Sequence, residues 1–101
     1  LNNLIINILA SQDLNEIADY FLGKNIEAGE RFFAAFNQKC QQLVNFPNMG
    51  RSYSEISASL RGVPLQGYVI LYKVMDDGIE ILRVVSGRRD LGSLFSESGS
   101  E

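Results

Sequence analysis

The sequence predicts a small α+β domain: an antiparallel sheet in the order strand-helix-helix-strand-strand-strand, with an N-terminal helical hairpin packed on one face and a short C-terminal helical turn. Three observations carry this. Leu14, Ile17, Ala18, Phe21 and Leu22 repeat at helical spacing, as do Ala28, Phe32, Ala35, Phe36, Cys40 and Leu43, and the linker between the two stretches is too short for anything but an antiparallel pair. Two apolar runs, Tyr68 to Met75 and Ile79 to Ser86, flank Asp76-Asp77-Gly78, a strong hairpin signal. At 101 residues the chain has room for one core and not two. One domain is expected over 1–95, with a disordered polar tail over 96–101.

Leu4 to Leu9 reads as the first strand from its length and β-branched content. Ser11 is placed to cap the first helix, with Asp13 and Glu16 near the positive end of its dipole and Gly23 as its stop. Asn25 is placed to cap the second helix, whose apolar stripe Phe33 and Val44 widen, and Phe46-Pro47 ends it. Residues 51–59 lack periodicity and read as a loop entering a strand near Leu60. Pro64 and Gly67 confine that strand to a short or edge role.

With Asp77-Gly78 as a two-residue loop, Tyr72 faces Arg83, Val74 faces Ile81 and Ile70 faces Val85. Val69, Leu71, Lys73 and Met75 then share the other side with Ser86, Val84, Leu82 and Glu80; a one-residue slip would swap the faces. Both sides are largely apolar. The helices cover one, which leaves the other as an expected partner-binding surface. Asp90 is placed to cap a last turn bearing Leu91, Leu94 and Phe95.

The chain contains no histidine, which excludes histidine–metal sites and Ser-His or Cys-His nucleophiles. No metal or cofactor is expected. The single cysteine, Cys40, has no partner for an internal disulfide, which fits a reducing cytoplasm, and reads as core or interface packing. No apolar run approaches the roughly 20 residues of a membrane span. The Leu4–Leu9 run has no basic flank or cleavage site of a signal peptide. A net charge of −3 argues against direct nucleic-acid binding by the isolated chain.

Charge is unevenly placed. The helical half carries Asp13, Glu16, Asp19, Glu27 and Glu30 against Lys24, Arg31 and Lys39, whereas Arg51, Arg61, Arg83, Arg88 and Arg89 all lie in the second half. Arg83 sits among aliphatic residues in the last strand, and a buried guanidinium is costly unless paired. Together with Arg88 and Arg89 it suggests a site for an anionic partner, which Arg61 could join. The alternative is a salt-bridged strand and a solvated turn, with Arg83 paired to Tyr72, Glu55 or the chain terminus. Met49 and Tyr53, in the loop after the hairpin, and Phe33, off the main stripe, are candidate interface residues with core packing as the alternative.

Several short motifs occur in a fixed order: Ser11-x-Asp13-Leu14-x-x-Ile17-x-x-Tyr20, Ala28-x-x-Phe32, Pro47-x-Met49-Gly50-Arg51, Leu60-Arg61, Gly67-Tyr68-Val69-Ile70-Leu71-Tyr72 and Ile79-x-Ile81-Leu82-Arg83-Val84-Val85-x-Gly87-Arg88-Arg89-Asp90-Leu91. In this order they resemble the RelE/ParE superfamily, the toxins of bacterial type II toxin–antitoxin systems, and the ending most resembles the ParE branch. The resemblance implies a cytoplasmic, growth-inhibiting toxin of the plasmid-stabilising kind, neutralised by direct binding of a cognate antitoxin. In such pairs the antitoxin's C-terminal segment lies over the sheet and the helical hairpin. The implied target-binding residues are Arg51, Arg61, Arg83, Arg88 and Arg89, and the antitoxin-binding ones Phe33, Met49 and Tyr53. ParE-type toxins act on DNA gyrase by binding; RelE-type toxins are endoribonucleases that cut messenger RNA on the ribosome.

A nuclease needs a base, a cation at the scissile phosphate and an acid for the leaving oxygen. Arg61 and Arg83 could hold the phosphate, but no Tyr or His follows Tyr72, and Ser86 stands where many ParE sequences have His. The reading therefore favours a gyrase inhibitor that is not an enzyme, with a ribosome-dependent endoribonuclease as the alternative.

Overall fold

Asn7 ends the first strand earlier than the apolar run suggests. Its side-chain oxygen accepts a 2.7 Å bond from the Leu9 N–H, so strand β1 is Asn3–Ile6 and helix α1 is Ile8–Leu22. Ser11, expected as the cap, lies inside the helix and donates its N–H to the Asn7 carbonyl. Asp13 and Glu16 thus lie beyond the first turn, which has no acidic residue. The structure is a computed structural model that describes residues 3–94. Phe95 and the tail expected over 96–101 lie outside the described residues.

Helix α2 (Ile26–Asn45) begins where expected, with Asn25 accepting from the Ala28 N–H at 3.0 Å. The two helices approach closely because Gly29 has no side chain: a Cβ there would come within 2.8 Å of Phe21 Cβ. Phe32, Phe36, Cys40 and Leu43 form the buried stripe of α2, and Ala10 and Ile17 that of α1. A single 3₁₀ turn, Pro47–Met49, follows.

The sheet has five strands in the order β1-β5-β4-β3-β2, with β2 Arg51–Ser52, β3 Arg61–Leu65, β4 Tyr68–Met75 and β5 Gly78–Ser86. It is mixed, because β1 runs parallel to β5 while the other neighbours are antiparallel. β2 pairs only with Arg61 and Gly62, so exposed Pro64 sits where β3 has no outer neighbour. The β3–β4 hairpin turns through Gln66 and Gly67, both with positive φ, which suits the twist of the strands.

The β4–β5 hairpin differs from expectation in register. Its loop is Asp76-Asp77, and Gly78 is already in β5 opposite Met75. Glycine is required there for another reason: a Cβ would collide with the Asn3 carbonyl of β1. Leu82 is an extra residue in β5, since Tyr72 pairs with Ile81 and Leu71 with Arg83. Near the turn the partners are displaced by two, which keeps each side chain on its face. Beyond Leu82 they are displaced by one, which swaps Val84 and Val85. Val84 accordingly joins Ile70, Tyr72, Ile79, Ile81 and Phe32 beneath the helices.

The face opposite the helices is not the open surface that the sequence suggested. Leu60, Leu71, Val85 and Leu94 form a second buried cluster there, covered by Tyr53, Ile56 and Leu91. The segment between β2 and β3 folds back on itself, with Tyr53 N–H bonded to the Leu60 carbonyl and Ile56 N–H to the Tyr53 carbonyl. It and a helical turn at 91–94 shield that side of β4 and β5. Burying a large apolar side chain is worth about 1.5–3 kcal/mol, which is reason enough for the chain to close this face itself.

Candidate functional site

Arg83 lies where β5 has outrun β1, so helix α1 is its neighbour on that side. Its Nε donates to Asp13 Oδ2 at 2.8 Å and its Nη2 to Asp13 Oδ1 at 3.0 Å, a two-pronged pairing with side chains only 20% and 12% exposed. Asp13 Oδ2 also accepts the Val84 N–H at 2.9 Å. These bonds hold the Arg83 proton more tightly than water would; burial opposes them, and the charges of Asp13 and Glu16 add to them. The partner of Arg83 is thus none of the three weighed from the sequence. Asp13 serves the sheet and not the helix dipole.

Arg61 is also engaged within the chain. Its Nη1 donates to the carbonyls of Gly50 at 2.7 Å and Asn48 at 3.3 Å. Beside it, Tyr72 Oη donates to the Pro47 carbonyl at 2.7 Å and accepts the Gly50 N–H at 3.0 Å. Burial pushes the Tyr72 hydroxyl up from its ordinary value, opposed by the Gly50 bond and the Arg61 charge. Two adjacent strands thereby fasten the Pro47–Met49 turn to the sheet.

Arg51 is exposed, 3.6 Å from Glu55 and 4.2 Å above the Tyr53 ring. Arg88 and Arg89 are exposed in the turn after β5, where the Ser86 hydroxyl accepts the Arg88 N–H and the Ser86 carbonyl the Arg89 N–H. No ion pair holds either guanidinium among the described residues. Arg89 borders a hollow of about 250 Å³ with Glu16 and Tyr20 of α1, Tyr68 and Ser86. The five arginines do not form one patch. Arg61 stands level with Tyr72 and Ile81, and Arg88 lies beyond Ser86, on the order of 15 Å further along the sheet.

The three expected antitoxin contacts are separated as well. Met49, with Phe46 and Pro47, lines an apolar groove of about 660 Å³ at the end of α2. Phe33 borders a smaller apolar hollow with Leu22 and Ile26 at the hairpin tip. Tyr53 is half-buried over Gly62 and belongs to the second core. Sequence reasoning missed Phe46 and Ile8, exposed at 67% and 73%. A usable signal was present: no charged residue occurs before Asp13 or between Cys40 and Gly50. Chemically, the surface offers cations and apolar anchors. Among the described residues no cluster of three potential metal ligands occurs, and no helix is long and apolar enough to cross a membrane.

The family model described as the ParE toxin of the type II toxin–antitoxin system parDE matches residues 4–91. The chain belongs to the ParE toxin family. A solved structure titled as the chromosomal ParDE toxin–antitoxin system from P. aeruginosa is similar in fold, with a TM-score of 0.70 at 20% identity over 83% of this chain and 94% of that one. No curated protein matches the sequence. The ParE match takes in the Asp13–Arg83 pair, the Tyr72 and Arg61 bonds to the Pro47–Met49 turn, and the Arg88-Arg89 turn.

Proposed function

We infer that this ParE-family chain inhibits DNA gyrase by binding it, and that a cognate antitoxin neutralises it by direct contact. The observation that carries binding over RNA cleavage is the engagement of Arg61 and Arg83. A nuclease would need these guanidiniums at the scissile phosphate, and both are held by oxygens of the chain itself. Arg88 and Arg89 are exposed beyond β5 and Arg51 beside Tyr53. These three are the target-facing cations; Arg61 and Arg83 hold the elements that present them. Membership of the ParE family supports gyrase as the target.

For the antitoxin, the apolar groove at Phe46 and Met49 and the hollow at Phe33 are the anchoring points, with Tyr53 contributing its exposed edge. An acidic, amphipathic partner segment fits the apolar groove at Met49, with Arg51 two residues on. The setting is the bacterial cytoplasm, and the biological effect is growth inhibition of the kind that stabilises a plasmid.

The test is a pair of assays on purified protein. Supercoiling by gyrase should fall and cleaved DNA accumulate, while ribosome-bound message stays intact. The opposite pattern establishes the endoribonuclease alternative and discards the gyrase reading.

A further inference from the structure

Strand β1 is the outermost strand on its side of the sheet. Asn3 N–H donates to the Asp77 carbonyl and Asn7 N–H to the Ile81 carbonyl, so the odd-numbered residues of this segment turn their backbone groups toward β5. The N–H and C=O groups of Leu4 and Ile6 therefore point outward, where no other described strand meets them. All four residues of β1 are exposed, Ile5 at 48%. Edge strands are ordinarily blunted by lysine, proline or a bulge. β1 has none of these.

We propose that β1 pairs with β1 of a second copy of this chain, antiparallel about a two-fold axis through Ile5, joining two five-stranded sheets into one. The axis sets Leu4 opposite Ile6 of the second copy and Ile6 opposite Leu4, and each pair exchanges both of its backbone bonds. Ile5 faces its own counterpart at the close, non-hydrogen-bonded position between them. Such an interface is the same patch on both copies and closes at two.

Charge selects this occupant. The chain carries a net −3, yet residues 1–12 hold no charge, so here two copies meet without repulsion. The flanking acids are held locally: Asp77 by Asn3 Nδ2 at 2.8 Å, and Glu80 by Asn7 Nδ2 at 3.3 Å with Lys73 at 3.9 Å. Among the described residues, an acidic partner strand would find no free cation along this edge.

The test uses the full chain without an antitoxin. Residues facing at the non-hydrogen-bonded position have Cα atoms about 4.5 Å apart, within disulfide reach. Ile5→Cys should give a disulfide-linked dimer under mild oxidation, whereas Ile8→Cys, more exposed but far from the axis, should not; the native Cys40 is buried. By sedimentation the unaltered protein should dimerise reversibly. Leu4→Pro removes an outward N–H and leaves the bonds to β5, so it should weaken dimerisation roughly tenfold or more. If Leu4→Pro fails to fold, the cysteine comparison decides alone. A protein monomeric at the highest attainable concentration, an Ile5→Cys variant that stays unlinked, or cysteine variants that cross-link equally each overturn the proposal. None of these readouts depends on the gyrase assignment.

Discussion

Arg83 and Asp13 clamp strand to helix across 70 residues of sequence, and the clamp lies where β5 has lost β1 as a neighbour. The carboxylate takes two guanidinium bonds and one backbone N–H. It therefore satisfies both the charge and a strand donor that the sheet leaves open.

Removing one half of this pair should cost more than a surface salt bridge would. Asp13→Ala leaves a mostly buried guanidinium and the Val84 N–H without their acceptor, an expected loss of about 2–4 kcal/mol. Asp13→Asn, which still accepts from Val84, should lose less. Urea unfolding measures both; a loss near zero for the alanine variant would mean that the pair contributes nothing net. The raised proton affinity of Arg83 stabilises the fold fully below the ordinary arginine range, so no slope of stability with pH near neutrality should trace to it.

Tyr72→Phe keeps the ring but strips the Pro47 carbonyl and the Gly50 N–H of their partner. We expect a loss of about 1–2 kcal/mol, with faster amide exchange at Gly50 than in the parent protein. Unchanged exchange there would show that the hydroxyl does not hold the turn.

Cys40 supplies a pH signature. Burial pushes its thiol from 9.0 up to about 11. The unfolded chain gives up this proton first, so the stabilisation is complete below the unfolded value and declines as pH rises through the window from 9.0 to about 11. The decline should approach roughly 2–3 kcal/mol at about 1.4 kcal/mol per unit. Cys40→Ala should be less stable overall but should lack this part of the alkaline slope. The thiol should also resist labelling in the folded protein at pH 8 and react once urea unfolds it. Rapid labelling of the native state would contradict its burial.

Arg88 and Arg89 make no side-chain ion pair among the described residues, so reversing their charge should leave stability within about 0.5 kcal/mol. Arg88→Glu with Arg89→Glu should abolish growth inhibition and the effect on gyrase while the thermal midpoint stays in place. Full toxicity in that variant would move the target contact elsewhere, with Arg51 the next residue to test.

Both helices were legible because their signals are local. Phe32, Phe36, Cys40 and Leu43 recur at the helical period, and Asn25 caps from the adjacent position. The start of α1 departs from the apolar pattern for a local reason too. Ile8 and Leu9 look like strand residues, but they are solvent-facing helical ones, set by the side chain of Asn7. The arginines were visible as a cluster in sequence, while their neighbours in space were not. Asp13 gave no sign that it belonged to Arg83.

Composition, periodicity and motif order were enough to establish the α+β class, the helical hairpin and the resemblance to ParE toxins. These properties depend on residues a few positions apart or on types read directly from the chain. Only the folded molecule decided that β1 runs parallel to β5, that Leu82 shifts the register, that residues 53–60 close the second face, and which arginines remain free. Each of those outcomes is a contest between segments far apart in sequence for the same backbone bonds or the same apolar surface, and the winner emerges only when all competitors are in place.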